Sequence, residues 1–138
     1  MKRPWPIVAV ADVKKSSEWY MTLLGAQENH PGATVFNQIH DGTGTILLCL
    51  HHWGPSGPKG DHAWPPLSDP GDGPVGNGLL LWFVVDDFDA AWVRAKELGA
   101  PIHESPNKDN GTGMLAFVVR DPDGYYVTVN EARDAGAA

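Results

Sequence analysis

Short apolar runs alternate with amphipathic stretches along this chain, and the whole order repeats once. Residues 7–11 form a β-prone run. Residues 14–24 then set Trp19 with Leu23 and Tyr20 with Leu24 at i,i+4 spacing, which predicts a helix with one apolar face. Asp12 or Ser16 would cap its start, and Gly25 suits a left-handed stop. Strands are predicted over 26–28, 34–39 and 45–51, with Asp41-Gly42-Thr43-Gly44 as the turn between the last two. The second half follows the same order: a strand over 79–85, a helix over 89–98 with Ala91, Ala95 and Leu98 on one side, and strands over 101–103, 114–119 and 126–130. Its last turn is Asp121-Pro122-Asp123-Gly124. In both halves a strand closes on an Asp, a helix follows, and Gly-Ala ends it, at Gly25-Ala26 and at Gly99-Ala100. Two copies are too few for a solenoid, so the pattern predicts one domain over 1–138 built of two similar halves. Module one spans 1–53, a connecting loop 54–77, module two 78–131 and a tail 132–138.

The connecting segment breaks the pattern. From His52 to Asn77 it carries Pro55, Pro58, Pro65, Pro66, Pro70 and Pro74, and regular structure is not expected there. Structureless loops beyond about 12–15 residues are uncommon in compact domains and tend to be lids, binding loops or linkers. Trp53, His62 and Trp64 are more than a flexible linker needs. A lid or pocket edge, an ordered crossover and a disordered linker all remain open.

Composition narrows the function classes. With 138 residues, 42% apolar, the chain can bury a substantial core. A net charge of −7 argues against a nucleic-acid surface, which needs clustered Lys and Arg. Cys49 is the one cysteine, so an intrachain disulfide and a CxxC site are both excluded, and its apolar surroundings predict a buried, inert thiol. No apolar run reaches membrane-spanning length and no signal-peptide core follows the N-terminus, so a cytoplasmic protein with no membrane partner is expected. Gly54 to Gly60 lacks the Lys-Ser/Thr ending of a phosphate loop, and Gly111-Thr112-Gly113 precedes a strand, not the helix a dinucleotide site requires.

The ordered set of marks resembles the vicinal-oxygen-chelate superfamily, which includes glyoxalase I, extradiol dioxygenases and bleomycin-resistance proteins. The matching residues are Val10-Ala11-Asp12-Val13 with Ser17, Trp19-Tyr20 and Leu24-Gly25 in the first copy. In the second they are Val85-Asp86-Asp87-Phe88 with Leu98-Gly99-Ala100, followed by the closing Asp121-Pro122-Asp123-Gly124-Tyr125. The resemblance implies an α+β fold in which two βαβββ modules form a cupped eight-stranded mixed sheet with helices outside; many members are homodimers, so a homodimer is expected. It also implies where a divalent ion would be held in the enzymes. Counting back from Asp12 and Asp87 reaches Trp5 and Leu80, the last strand offers Thr128, and the fourth strand offers the neighbourhood of Leu48. None supplies the imidazole or carboxylate such an ion needs. A shift by one residue, to Pro6, Leu47, Cys49, Leu79, Leu81, Val127 or Val129, does not supply one either. No metal is therefore expected at the usual site.

Strand alternation and the family register put Trp5, Ile7, Leu48, Leu50, His52, Leu80, Trp82, Tyr126, Thr128 and Asn130 on the cup face. The expected function is that of a metal-independent small-molecule binding protein similar to bleomycin-resistance proteins, with Trp5, Trp82 and Tyr126 stacking on an aromatic or amphipathic ligand. His52 and Asn130 would orient its polar groups. The same aromatics would equally serve as a plug filling the cup. The alternative is a metal-dependent glyoxalase-like lyase or dioxygenase with a displaced divalent-metal site around His51, His52 and His62, with Glu131 as a further candidate. Against it, His51 and His52 are adjacent in a strand and point to opposite faces. His30, His40 and His103 sit beside turns or strand ends and read as exposed structural residues.

Overall fold

A computed structural model describes residues 3–55, 59–61, 63–77 and 79–132. The chain divides into two compact units, Met1–Pro74 and Val75–Ala138, and each builds its own sheet. In the first, β1 (Ile7–Val10) leads into α1 (Val13–Leu24), followed by β2 (Gln27–Glu28), β3 (Phe36–His40) and β4 (Ile46–His52). In the second, β5 (Leu81–Val85) leads into α2 (Phe88–Glu97), then β6 (Ile102–Asn107), β7 (Ala116–Arg120) and β8 (Tyr126–Glu131). The strand orders are β1-β4-β3-β2 and β5-β8-β7-β6. The first and last strands of each module run parallel and the remaining neighbours antiparallel. The α+β class, with two βαβββ modules and mixed sheets, is the one the sequence predicts.

The duplication extends to the atoms that start and stop each element. Asp12 accepts from the Lys15 amide at 3.0 Å and Asp87 from the Ala90 amide at 3.0 Å, each meeting an orphan donor of a helix's first turn. Gly25 and Gly99 follow the two helices at φ 63° and 65°, where a side chain would be strained. The turns before the last strands are also copies. Asp41 Oδ1 accepts from the Thr43 amide and hydroxyl at 2.8 and 2.7 Å, and these bonds hold its carboxyl below the ordinary range. Asp121 Oδ1 accepts from the amides of Asp123 and Tyr125, both at 2.9 Å.

Two expectations need correction. The connecting segment is not wholly irregular, because Pro65–Leu67 makes one 3-10 turn, the kind of short piece that prolines permit at a start. Strand β6 continues past His103 to Asn107 despite Pro106. It is an edge strand, so the missing amide costs no ladder bond on the inner side, and its register slips twice along β7.

Each helix covers one face of its sheet. In module one Tyr20 and Leu23 of α1 are buried with Val10, Ile39, Leu48 and Leu50. Asn37 is buried there too, and its amide donates to Ser17 Oγ at 2.9 Å, while Ser17 donates to the Val13 carbonyl at 2.6 Å, so the polar atoms under the helix are paired. In module two Phe88 and Trp92 of α2 meet the Phe117 ring at centroid distances of 5.5 and 5.1 Å, above buried Val119, Val127 and Val129.

Tyr125 closes module two and generates two predictions. A Cβ built on Gly76 would run into the Tyr125 ring at Cδ1, and Gly76 has φ +66°. Gly76→Ala should therefore destabilise the protein by about 1–3 kcal/mol, read as a lower denaturation midpoint with an unchanged slope. Burial, with help from Asp121 and Asp123, pushes the Tyr125 phenol up to about 12. A phenol whose pKa is raised by folding stabilises the native state below its unfolded value, and that contribution is lost as pH rises from roughly 10 through 12. Thermal melts of wild type and Tyr125→Phe should show the wild type losing stability relative to the variant across that window.

Candidate functional site

Register decides which side chains are left on the face away from each helix. In module one β1 pairs with β4 so that Ile7 lies opposite Cys49 and Ala9 opposite His51, while Phe36 and Gln38 of β3 lie opposite His51 and Cys49. These residues share the open face. Val8 lies opposite Leu50, Asn37 opposite Leu50 and Ile39 opposite Leu48, on the face where Asn37 reaches Ser17 of α1. Leu48 and Leu50 are thus core residues with no exposure, not cup residues.

A bulge causes this reversal. Ile39 pairs with Leu48 but His40 pairs with Ile46, so β4 carries one extra residue that the corresponding stretch of β8 does not. An extra residue shifts every later side chain to the other face. Counting by analogy with Thr128 therefore reaches Leu48, whereas the residue opposite Ile7 is Cys49. His52 is displaced in the same way. It shares the helix-side parity of Leu50, and its Nε2 donates to the Pro55 carbonyl at 2.6 Å, fixing the start of the connecting segment. Nothing in the residue types of β4 announces the bulge.

Beneath the connecting segment the open face of module one holds a cavity of about 420 Å³, lined by Ile7, Phe36 and His51 and by Trp64, Pro66 and Leu67. The wall is anchored by the Gly54 amide donating to the Leu67 carbonyl at 2.8 Å and the Leu67 amide to the Trp64 carbonyl at 2.9 Å. His51 brings a polar ring to the lining. It is 4% exposed, its Nδ1 bonds the His52 carbonyl at 2.5 Å, and its Nε2 is buried with no hydrogen-bond partner. Leaving such a group unpaired costs about 1–3 kcal/mol. The aromatic content of the connecting segment was the sequence signal for this wall; His51 was a candidate only for the displaced metal site, and Phe36 carried no signal.

Module two keeps the expected register. Trp82 lies opposite Thr128 and Val84 opposite Asn130, while Leu81, Phe83, Val127 and Val129 are buried on the helix side. Its open face bears a second cavity of about 430 Å³ whose lining includes Leu80, Trp82, Tyr126 and Thr128 with His103 and Glu104. Asn107 and Asn110 also border it, but their amides are spent on the loop. Asn110 Nδ2 donates to the carbonyls of Asn107 and Met114 at 2.8 and 2.9 Å, and Asn107 Oδ1 accepts from the Asp109 amide. His103 stands edge-on to Tyr126 at 5.1 Å and the Arg120 guanidinium lies 4.5 Å from the Tyr126 ring centroid. His103, expected to be merely structural, is therefore an exposed residue on a cavity wall. Thr128 is 2% exposed and its Oγ1 has no partner, a second orphan at the base of an aromatic pocket.

The expected set is thus divided. Leu80, Trp82, Tyr126 and Thr128 line one cavity and Ile7 lines the other. Trp5 is exposed ahead of β1, and Asn130 is buried with its Nδ2 donating to the Glu131 carbonyl at 2.7 Å; neither is among the described residues lining these two cavities.

The donor set does not fit the superfamily's divalent ion. With the bulge included, the relevant positions are Trp5, Cys49, Leu80 and Thr128: an indole, a thiol, an isobutyl group and a hydroxyl. Burial pushes the Cys49 thiol up, against the thiolate a metal would require. The displaced alternative has no better geometry among the described residues, where no three His, Cys, Asp or Glu side chains are grouped to hold an ion. His51 and His52 each commit a nitrogen to a backbone carbonyl, Glu131 accepts from the Leu115 amide at 3.0 Å, and His62 lies outside the described residues. Among the described residues no helix is long and apolar enough to cross a membrane.

Comparison with known proteins agrees with this architecture. Solved structures of similar fold include an integron cassette protein from the mobile metagenome of V. cholerae, 23% identical over 96% of both chains with a TM-score of 0.67. A protein of unknown function from Agrobacterium tumefaciens str. C58 is 22% identical over 96% of this chain and 95% of its own, with a TM-score of 0.70. A glyoxalase/bleomycin resistance protein from Catenulispora acidiphila is 22% identical over 96% of this chain and all of its own (100%), with a TM-score of 0.60. At such identities the likeness is one of fold. A search of curated proteins found no match. The family model described as Glyoxalase/Bleomycin resistance protein/Dioxygenase superfamily matches residues 3–129, nearly the whole chain, and with two βαβββ modules in place the chain belongs to that superfamily.

Proposed function

We propose that the protein is a metal-independent small-molecule binding member of this superfamily, and that its ligand is flat, aromatic and furnished with at least one polar group. The observation that carries this reading is Thr128. Where the resemblance leads one to look for a metal-binding carboxylate, the chain has a buried hydroxyl without a partner, set among Leu80, Trp82 and Tyr126 in a cavity of about 430 Å³. Such a volume falls within the ~300–1,000 Å³ typical of small-molecule sites. Stacking on Trp82 and Tyr126 would supply affinity by burial, and a hydrogen bond to Thr128 Oγ1 would satisfy the orphan and fix orientation. Glu104 on the wall, in a chain of net charge −7, favours a cationic ligand over an anionic one. A homodimer remains part of the proposal on the strength of the family resemblance.

The test is calorimetric titration with proflavine, a planar aromatic cation. Saturable binding is expected. Trp82 is half-exposed, so Trp82→Ala should fold normally yet weaken binding by about 1.5–3 kcal/mol, roughly tenfold to a hundredfold. The near-isosteric Thr128→Val should cost ~0.5–1.5 kcal/mol. Unchanged affinity in Trp82→Ala would sink the stacking model. Separately, protein incubated with Zn²⁺, Mn²⁺, Ni²⁺ or Fe²⁺ and freed of excess should retain no stoichiometric metal by elemental analysis. Retention of one ion per chain, lost in His52→Ala, would instead establish the displaced metal site.

A further inference from the structure

Asn110 is the hub of the loop between β6 and β7. Its Nδ2 donates to the carbonyls of Asn107 and Met114 at 2.8 and 2.9 Å, one on each flank of the loop. Its Oδ1 accepts from the Thr112 amide at 3.0 Å and from the Thr112 hydroxyl at 2.5 Å. The Thr112 hydroxyl oxygen in turn accepts from the Met114 amide at 3.1 Å. With both ends of the Asn110 carboxamide bonded, its plane is held.

The next residue is Gly111, at φ +87° with open space beside its Cα. Its peptide nitrogen and Asn110 Cγ are the two ends of a five-membered ring that attack would close, and no Cβ on Gly111 obstructs the approach. Once base removes the Gly111 amide proton, the nitrogen attacks Asn110 Cγ. A C–N bond forms, the Cγ–Nδ2 bond breaks, and Nδ2 takes a proton from solvent and leaves as ammonia. Water then opens the succinimide at either carbonyl, giving aspartate or isoaspartate. Attack needs the face of the carboxamide turned towards Gly111 and Nδ2 free to depart, and the four bonds oppose both. The reaction therefore waits on local opening of the loop.

We propose that Asn110-Gly111 is a deamidation site, and that its reaction is a one-way latch on the β6–β7 loop. The asymmetry lies in the product. A carboxylate at 110 still accepts from Thr112, but it has no hydrogen to give the Asn107 and Met114 carbonyls and faces their lone pairs. A loop that opens and reacts cannot close as before. Asn107 and Asn110 border the module-two cavity, so the change reaches its wall. The latch needs no ligand there and is tested apart from the proposed function.

The test is peptide mapping by mass spectrometry of the whole protein aged in mildly alkaline buffer, folded and in urea, with isoaspartate scored separately. Asn77→Ser serves as the background, because Asn77-Gly78 is the chain's other Asn-Gly pair. Asn110 should convert in both states, about tenfold more slowly when folded, because the bonds to Nδ2 must break first. Thr112→Val, at an exposed position, removes the hydroxyl from Oδ1. It should speed conversion of the folded protein about threefold or more and leave the rate in urea the same. Amide hydrogen exchange should quicken across residues 107–114 in the aged protein and in Asn110→Asp. The aged protein carries this readout even if Asn110→Asp fails to fold. Equal rates folded and in urea, no conversion at 110 in the folded protein, or a folded rate unmoved by Thr112→Val would overturn the inference. So would exchange across the loop that conversion leaves unchanged.

Discussion

Each module is closed by laying its first strand parallel to its last, and that pairing fixes which side chains meet the helix and which are left for a ligand. Ile7 against Cys49 and Trp82 against Thr128 are the equivalent contacts. Because side chains alternate along a strand, one such pair sets the face of every other residue in both strands. The helix then covers the branched aliphatic face, and what remains is a shallow apolar surface that each module lines with aromatics. The caps at Asp12 and Asp87, and the turns at Asp41 and Asp121, repeat so closely because each holds an end of this same arrangement.

The two open faces carry the same kind of tension in different chemical settings. Proteins pair nearly all buried polar atoms, and an orphan at a cavity is a group whose partner arrives from outside or whose cost is borne by the rest of the fold. Under α1 the polar atoms of Asn37 and Ser17 are paired. On the open faces His51 Nε2 and Thr128 Oγ1 are not. The contrast within one small chain supports reading both faces as places of contact with small molecules. Their chemistry also differs. One offers a ring nitrogen among apolar side chains, the other a hydroxyl among Trp82 and Tyr126 with Glu104 and His103 also in the lining.

Membership of a superfamily rich in metal enzymes does not carry its chemistry over. Fold supplies the cup-facing positions, and chemistry depends on what occupies them. Trp5, Cys49, Leu80 and Thr128 cannot reproduce a set of imidazoles and carboxylates, while the histidines nearest each other, His51 and His52, are held by backbone carbonyls. Those positions hold an indole, a thiol, an isobutyl group and a hydroxyl instead.

Periodicity, capping residues and turn residues are local properties, so the sequence by itself determined the elements, their order, the duplication and the absence of the usual donors. It also determined the module-two face, because Leu80, Trp82, Tyr126 and Thr128 follow simple alternation from Asp87 and from the last turn. Tertiary structure alone decided the module-one face. The single extra residue of β4 between Ile46 and Leu48 exists only as a mismatch with β3, and it sent Leu48 and Leu50 into the core and brought His51 to the cavity. The same holds for Trp64, Pro66 and Leu67: Trp64 was marked as more than a linker needs, but the strand these residues lie beside is a long-range contact no local pattern encodes. Alternation is a count along one strand, and a bulge is a relation between two.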